Sequence, residues 1–552
     1  MARNPLRWFS TRTTPQSQPI PDAGQVPNSA GGFAWAVDEW ARLHRFLVLG
    51  VDGGTYYATE RELVKENGEA VLHCIALDGK RTVDEILAIS EAGRAPKQQP
   101  AIFALAACTA SDDPDVRKYA LEALPRVCRT GTHLFLFAGY VEQFRGWGRG
   151  LRRAVGDWYL RRDADALAYQ LVKYQQREGW SHRDLLRLAK PTPARDSATD
   201  LALRWAVDKL DGDYPHSTPA LIRAHRAAQL ATSPAETVHL VQTHNLPWEA
   251  LQSEHLRAPE VWAALIPDMG LGALVRNLGR MTANGTLLPS NAATDAVVRR
   301  LADPEQLRRA RLHPIQILAA LTTYRWRRGA LGKLSWDPVT AIINALDQAF
   351  YLSFQTVESS GTRTLLALDV SGSMGNGVVA GVPGLTPRVA SAAMAAVTLG
   401  CEQRVETVAF TTHGGDAWAS PNTDNRLNIA YGITPISLSK RQRLDDIVAT
   451  VSDMPFGGTD CALPMLYALD KKLEIDTFVI YTDSETWAGA IHPAQALRRY
   501  RERTSIPAKL IVVGMVSNGF SIADPGDRGM LDVVGFDTAA PQLMADFAAG
   551  RV

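Results

Sequence analysis

Cysteine is scarce in this chain of 552 residues. The five cysteines are far apart, odd in number and form no CxxC pair; they are Cys74, Cys108, Cys128, Cys401 and Cys461. This spacing argues against both a disulfide framework and a zinc site. A protein of this kind belongs in a reducing compartment, and we expect a cytoplasmic location.

Long apolar runs and an excess of charge of one sign are also missing. The chain is 46% hydrophobic and 21% charged, with a formal net charge of +1. No apolar run has the length needed to cross a bilayer, and the N-terminus lacks the apolar core of a secretory signal. We therefore expect a globular protein with no membrane partner, in which any basic surface is local.

The first 31 residues are rich in arginine, serine and threonine and lack an acid before Asp22. That composition leaves a mitochondrial transit peptide open as an alternative. Three prolines, Pro15, Pro19 and Pro21, fit an amphipathic helix badly. We predict a flexible tail over residues 1–31.

Residues 32–354 have a helical pattern with few strand-like runs. Four helix starts combine a capping side chain with a following proline, at Asp113, Ser233, Asp303 and Asp337. The side-chain oxygen can accept a hydrogen bond from the first free N–H groups of the helix. Proline has no backbone N–H, but at the first helical position an N–H would have no acceptor within the helix, so nothing is lost. Many helices with short connections predict stacked helical pairs rather than one bundle, although no fixed repeat is legible.

Residues 362–552 alternate short apolar runs with helical spacing. The runs "TRTLLALDV", "QRVETVAF", "DTFVIYTD" and "AKLIVVGM" are typical of buried parallel strands. Strands alternating with helices predict a doubly wound α/β domain, so the fold class is α + α/β. A ligand site in such a domain lies at the carboxyl ends of the strands.

Oxygen-bearing side chains follow these predicted strands in three clusters. They are Asp369, Ser371 and Ser373 in "DVSGSMG", Thr459 and Asp460 in "GGTD", and Asp483 and Ser484 in "YTDSE". Carboxylates and hydroxyls without histidine or thiolate favour Mg²⁺, or another hard divalent cation, over zinc. The alternative is that these residues only cap helices and turns. The sequence does not supply a G-x-S-x-G elbow, a phosphate-loop motif or a dinucleotide fingerprint.

The clusters resemble the metal-ion-dependent adhesion site of von Willebrand factor A domains. That resemblance assigns Asp369, Ser371, Ser373, Thr459 and Asp483 to a metal, either directly or through water. Neutral hydroxyl ligands leave residual positive charge on the ion, which suits capture of an acidic group better than hydrolysis.

The helical part resembles the TROVE module of the Ro autoantigen family. The similar segments include "APKQQPAIFALAAC", "VCRTGTHLF", "WGRGLRRAVGDWY", "KYQQREGWSHRDLLRL" and "RNLGRMTANG", together with "RLHRFLVLGVDGGTYYATE" from Arg42. The resemblance implies a ring of HEAT-like helical repeats over 32–354, followed by the von Willebrand domain over 362–552.

The same resemblance implies a noncatalytic RNA-binding function. Members of the family bind small noncoding Y RNAs on the outer face and admit single-stranded 3′ ends of misfolded RNAs into a central hole. They serve RNA quality control and stress survival, and bacterial relatives work beside polynucleotide phosphorylase, an exoribonuclease. We expect a monomer that does not bind DNA.

A local basic excess agrees with that expectation. Eleven basic residues stand against six acids from Val141 to Lys190. The candidate RNA contacts are Arg149, Arg152, Arg153, Lys173, Arg177, Arg187 and Lys190. Lys173 and Arg177, at i and i+4, would share one helical face. The resemblance assigns both to the Y RNA surface, along with Lys190, which replaces a histidine of the relatives. The alternative is a solvated helix face.

Two other functions remain open from the sequence. The first is an adhesion or scaffold protein whose metal site docks an acidic protein partner. The second, hydrolysis at the metal, lacks a positioned general base. Three histidines in the matched motifs, His133, His182 and His313, are expected to be buried and hydrogen-bonded, not catalytic.

Overall fold

The structure is a computed structural model of the chain. The described residues are 13–51, 60–177, 179–195, 197–210, 214–329, 333–354, 357–379, 385–411, 432–439, 442–452, 454 and 457–552. Contacts divide the chain into two compact units. Residues 68–354 form the helical unit, and residues 1–67 join residues 355–552 in the α/β unit.

The helical unit is built almost wholly of helices. They are α2 (Glu60–Ala92, which begins in the other unit), α3 (Gln99–Cys108), α4 (Pro114–Val127), α5 (Gly131–Phe144), α6 (Arg149–Leu160), α7 (Ala164–Lys173), α8 (His182–Ala189), α9 (Ala198–Ala206), α10 (Ala220–Leu230), α11 (Pro234–His244), α12 (Pro259–Leu265), α13 (Leu271–Ala283), α14 (Ala292–Leu301), α15 (Pro304–Ala310), α16 (Pro314–Arg325) and α17 (Thr340–Leu352). A short hairpin, β3 (Gln176–Arg177) with β4 (Trp180–Ser181), lies between α7 and α8. No helix in the described part of the chain combines the length and the apolar character that a bilayer crossing requires.

Three of the four predicted proline-marked helix starts are confirmed. Asp113, Ser233 and Asp303 each accept a hydrogen bond from a first-turn N–H, and a proline follows each of them. The prediction at Asp337 is wrong, because α17 begins at Thr340 with Val339 as its cap. The backbone N–H of Val339 instead donates to the buried Tyr324 hydroxyl, which holds this segment extended.

The two ends of the helical unit contact each other directly. His313, which caps α16, places Nε2 3.1 Å from the carbonyl oxygen of Arg94, just after α2. Gln316 Nε2 donates to the carbonyl oxygen of Pro96 at 2.7 Å. These bonds join residues more than 200 positions apart, so the succession of helices closes on itself within this unit.

The α/β unit surrounds a six-stranded sheet. Its elements are β1 (Val26–Pro27), β2 (Phe33–Ala36), α1 (Glu39–Leu49), β5 (Arg363–Asp369), α18 (Pro387–Cys401), β6 (Arg404–Phe410), β7 (Ile433–Pro435), α19 (Leu444–Ser452), α20 (Leu463–Asp470), β8 (Thr477–Thr482), α21 (Pro493–Thr504), β9 (Lys509–Gly514), β10 (Phe520–Ser521), β11 (Met530–Val534) and α22 (Ala540–Ala549). The sheet order is β11-β9-β8-β5-β6-β7, and β7 alone is antiparallel among these strands.

The four strands predicted from the sequence are β5, β6, β8 and β9. Strand β8 is buried throughout and β5 and β9 are buried after their first residue, as helix-covered parallel strands are, whereas β6 is buried only over its last four residues. The short strands β7 and β11 were not predicted, because strands of this length contain too few residues to show an alternating pattern. Since β5 pairs with β8, with Leu368 opposite Tyr481, the loops that follow these two strands start side by side.

The prediction of a flexible tail over 1–31 is wrong for its described part. Residues 13–33, which we call the N-terminal strap, pack on the α/β unit, and the side chain of Gln16 is fully buried there. The prolines exclude a helix, as expected, yet an extended segment can still be held by hydrogen bonds to the unit. Residues 1–12 lie outside the described part of the chain.

Candidate metal centre and nucleic-acid interface

The first cluster of oxygen ligands forms a tight loop at the end of β5. Asp369 is completely buried, and its Oδ1 accepts from the backbone N–H of Ser371 at 2.9 Å. The hydroxyls of Ser371 and Ser373 lie 3.2 Å apart. The alternate spacing of D-x-S-x-S therefore brings three side-chain oxygen groups into one small buried volume, as the sequence predicts.

The second and third clusters are bonded to this loop and to each other. The N–H of Gly372 donates to the carbonyl of Gly457, two residues before Thr459. The carbonyl of Thr459 accepts from Trp487 N–H and Ala488 N–H, in the loop that carries Asp483. All five predicted ligands thus lie at one edge of the sheet, and each is at most 5% exposed. Their role as ligands stays a prediction.

The electrostatics of the cluster favour a bound cation. Burial raises the pKa of Asp369, although hydrogen bonds from Ser371 and Thr482 oppose the rise. Burial, and then the charge of Asp369, raise the pKa of Asp483 to about 7. Two buried carboxylates that repel one another are destabilising unless a positive charge lies beside them.

The donor chemistry fits a small hard cation. The five side chains offer hydroxyl and carboxylate oxygens, which suit Mg²⁺. Among the described residues there is no group of three or more histidine, cysteine, aspartate or glutamate side chains able to hold a metal. A metal centre here therefore depends on the serine and threonine hydroxyls, which is also why the ion would keep residual positive charge.

Sequence reasoning missed three residues around this centre. Thr482, the last residue of β8, donates its hydroxyl to Asp369 Oδ2 at 2.6 Å. Arg388 of α18 donates to the carbonyls of Val370 and Ser371, at 2.6 and 3.2 Å. A lone arginine in an apolar helix is a signal that could have identified Arg388. The third, Gln16 in the N-terminal strap, had no signal in the sequence.

The candidate RNA contacts on α6 are solvent-facing. Arg149, Arg152 and Arg153 are all exposed and lie in the first turns of this helix. Within the described part of the chain none of the three forms an ion pair. No acidic residue occupies the first turn, and Gly148 at the N-cap provides no side-chain hydrogen bond. Three exposed cations without an ion-pair partner among the described residues therefore lie in the first two turns of a helix that has no side-chain cap.

The remaining candidates are dispersed over neighbouring elements. Arg187 and Lys190 are exposed at the end of α8, a helix that packs against α6. Lys190 adopts a left-handed backbone conformation that ends the helix. Other arginines of the segment already have partners within the protein. Arg145 and Arg162 donate to backbone carbonyls, and Arg183 pairs with Asp208 at 2.6 Å.

The prediction that Lys173 and Arg177 share a helical face is wrong. Helix α7 ends at Lys173, and the exposed Arg177 lies on strand β3 of the hairpin. The chain leaves the helix at Tyr174, whose φ/ψ of −116°/65° is not helical. Lys173 is half-buried, donates from Nζ to the Tyr169 hydroxyl at 2.8 Å, and lies over the Tyr169 ring. Its RNA contact stays a prediction.

His182 and His313 are buried and hydrogen-bonded, as expected, whereas His133 is only partly buried and its Nδ1 has no hydrogen-bond partner among the described residues. His182 is buried between the Tyr159 hydroxyl, 2.9 Å from Nδ1, and the carbonyl of Gln170, 3.2 Å from Nε2. His313 joins the ends of the helical unit, as described above. Burial lowers the pKa of both His133 and His182 to about 4. Both imidazoles are therefore neutral at physiological pH.

The lowered pKa values of these two histidines predict an acid-sensitive helical unit. Between pH 6.5 and 4 the unfolded chain binds a proton at each site that the folded chain does not. As the pH falls across that window, the free energy of unfolding should therefore decrease, by up to roughly 3 kcal/mol per histidine. Denaturant unfolding of His182→Gln should show a stability deficit that shrinks as pH falls. The exposed His216→Gln is the control, and a deficit independent of pH would contradict this assignment.

Known protein families match both the helical part and the α/β part of the chain. The TROVE domain model matches residues 26–212 and 214–324, and the Ro60 vWA domain model matches residues 363–548. RNA-binding protein RO60 of Deinococcus radiodurans is 43% identical over 556 residues, covering 100% of both chains. RNA-binding protein RO60 of Caenorhabditis elegans is 34% identical over 619 residues, covering 98% of this chain and 92% of the relative.

A solved structure supports the same assignment. The crystal structure of the Deinococcus radiodurans RO (RSR) protein matches with a TM-score of 0.68 and 42% identity, over 93% of this chain and 100% of that chain. The predicted fold class, a helical module followed by a von Willebrand factor A domain, is thereby confirmed. The chain belongs to the Ro60 family of TROVE-domain proteins.

Proposed function

We propose that this protein is a noncatalytic RNA-binding protein that holds a small, structured Y-like RNA on the surface of its helical unit. The observation that carries the proposal is the cluster of Arg149, Arg152 and Arg153 at the uncapped start of α6. Its relatives in Deinococcus radiodurans and Caenorhabditis elegans are named RNA-binding protein RO60, which supports the general function.

The physical argument is one of unsatisfied charge. A helix N-terminus carries a positive partial charge and free N–H donors, so basic side chains there destabilise the helix. A bound phosphate group makes this arrangement of positive charges favourable, because it accepts hydrogen bonds from the N–H groups and pairs with the arginines. Arg187 and Lys190 on the adjoining α8 extend the basic surface. Arg177 and Lys173 are the further candidates on the hairpin and at the end of α7.

We also propose that single-stranded 3′ ends of misfolded RNA enter an opening in the ring of helical repeats. The contacts between α16 and the segment after α2 support this, since a helical succession that closes on itself can surround a strand. Such capture would serve RNA quality control and the stress response. An exoribonuclease such as polynucleotide phosphorylase is the proposed partner, and we propose a cytoplasmic monomer.

Entry of a free end predicts a preference among RNAs. A hairpin with an unpaired 3′ tail should bind more tightly than the same hairpin with a blunt end, with little dependence on tail sequence. Affinities should be measured by filter binding across a range of salt concentrations, with a 5′-tailed hairpin as the matched control. Equal affinity for tailed and blunt hairpins would contradict the entry of 3′ ends.

For the α/β unit we propose a Mg²⁺ site, or a site for another divalent cation. Asp369, Ser371, Ser373, Thr459 and Asp483 would hold the ion. The bound ion would supply a positive charge able to capture an acidic group. This chain's own residues orient the site: Thr482 and the Ser371 N–H each fix one oxygen of Asp369, and the Glu485 N–H donates to Asp483 Oδ1 at 3.0 Å.

The metal site favours a second candidate function. A hydroxyl-rich cation site is suited to docking an acidic protein partner, as in a metal-dependent adhesion or scaffold protein. Purification from the native cell followed by RNA sequencing distinguishes the two. Recovery of a discrete small RNA supports RNA binding, whereas protein partners that EDTA releases, without RNA, support the scaffold.

A further inference from the structure

The N-terminal strap (residues 13–33) is bonded to the loops of the candidate metal centre. The backbone N–H of Gln16 donates to the carbonyl of Gly489 at 2.9 Å, and Phe33 N–H donates to the carbonyl of Gln16 at 2.9 Å. Asn28 Nδ2 donates to the carbonyl of Thr486 at 2.7 Å. The strap thus lies on the loop that follows β8, which also carries Asp483.

The side chain of Gln16 is the point at which the strap enters the unit. It is 0% exposed and makes four hydrogen bonds. Its Nε2 donates to Asp460 Oδ1 at 2.7 Å and to the carbonyl of Ile491 at 2.9 Å. Its Oε1 accepts from the Thr486 hydroxyl at 2.5 Å and from Gly489 N–H at 3.1 Å. Every donor and acceptor of the amide is satisfied, which is the strongest form of a buried polar anchor.

These partners lie on the two loops that must approach each other for a cation to bind. Asp460 directly follows Thr459, and Thr486 is three residues beyond Asp483. A single amide therefore bridges the loop of one candidate ligand to the loop of the other. A cation held by Thr459 and Asp483 would constrain the same two loops from the opposite side.

We propose that Gln16 is a positioning residue for the metal centre, so that docking of the N-terminal strap and binding of a divalent cation are coupled. This inference rests on the proposed metal site. The coupling is reciprocal: a docked strap strengthens cation binding by the same factor as the cation strengthens strap docking. The segment predicted to be a flexible tail is, on this proposal, part of the cation-binding apparatus.

Close packing at Gly489 provides an independent way to disturb the bridge. A Cβ atom at this position would lie 2.3 Å from Gln16 Nε2 and 2.4 Å from Asp460 Oδ1. Both side chains would therefore have to move, and they are joined to each other by a hydrogen bond of 2.7 Å. Gly489→Ala should therefore displace the Gln16 amide while leaving every candidate ligand in the sequence.

The test compares the affinity for Mg²⁺ in full-length variants. Isothermal titration should show about tenfold weaker binding in both Gln16→Ala and Gly489→Ala than in the wild type. Gln18→Ala is the matched control, because the exposed Gln18 lies in the same strap and contacts the unit through its backbone carbonyl, which accepts from His492. Its affinity should equal that of the wild type.

A reverse measurement on the wild type reports the coupling without any variant. Mg²⁺ should slow hydrogen exchange of the Gln16 and Phe33 amides, and it should not do so in Asp369→Asn. A purely structural strap would show the same exchange with and without Mg²⁺, which would overturn the proposal even if Gln16→Ala fails to fold. Undiminished affinity in folded Gln16→Ala and Gly489→Ala would also overturn it. A wild type that does not bind Mg²⁺ would instead overturn the metal site itself.

Discussion

Replacing Arg149, Arg152 and Arg153 together with alanine is expected to weaken binding of a structured RNA on the order of a hundredfold at 0.15 M salt. Each arginine that neutralises a phosphate releases counterions, so the slope of log affinity against log salt should fall by about 3. The stability of the protein should stay the same or rise slightly. The reason is that the substitution removes cations from a helix N-terminus and breaks no ion pair within the described residues.

A matched control is available on another helix of the same unit. Arg308 and Arg309 of α15 are also exposed, but both pair with Glu305, at 2.8 Å each. Their double alanine variant should leave RNA affinity and salt slope close to those of the wild type. The α6 assignment fails if the triple variant keeps its affinity and slope, or if both variants weaken binding equally.

Asp369→Asn is expected to abolish the response to Mg²⁺ while leaving RNA affinity within about twofold of the wild type. Loss of a ligand should exceed the roughly 10- to 100-fold cost of changing an outer-sphere partner. The amide keeps the shape of the side chain but only one acceptor oxygen, so it retains one of the two hydrogen bonds that Asp369 accepts from Ser371 N–H and the Thr482 hydroxyl. RNA binding should persist because the exposed arginines belong to the helical unit and the oxygen cluster belongs to the α/β unit.

Thermal unfolding with and without Mg²⁺ checks the first half of that prediction. The metal-free variant should be close in stability to the metal-free wild type at neutral pH, because removal of a charge that burial disfavours offsets the loss of one of the two hydrogen bonds to this side chain. Ser391→Ala is the control and should keep the Mg²⁺ response, because the hydroxyl of this buried serine of α18 bonds, among the described residues, only to the carbonyl of Pro387. A large loss of RNA affinity in folded Asp369→Asn would contradict the separation of the two sites.

Local patterns in the sequence were sufficient to predict much of the fold and much of the candidate metal site. The apolar runs identified β5, β8 and β9, because strands covered on both faces leave a continuous hydrophobic signal. Strand β6 was identified by its β-branched and apolar residues, although its first three residues are not buried. The parallel order then placed Asp369 and Asp483 at one edge, since polar residues after adjacent parallel strands meet there. The prediction that Thr459 also follows a strand is wrong: Thr459 lies in the loop between α19 and α20, and its carbonyl reaches this edge through hydrogen bonds from Trp487 N–H and Ala488 N–H. Proline after a capping residue identified the start of α4, α11 and α15 for equally local reasons.

Tertiary structure alone decided the features that depend on distant partners. The i, i+4 spacing of Lys173 and Arg177 suggested one helical face, but the chain turns into a hairpin at Tyr174 and separates them. Asp337 resembles the other caps, yet the Tyr324 hydroxyl holds Val339 and delays the helix. Gln16 lies in a proline-rich segment with no pattern at all. Its four bonds reach residues 444 to 475 positions away, and no local rule of sequence reports contacts over that separation.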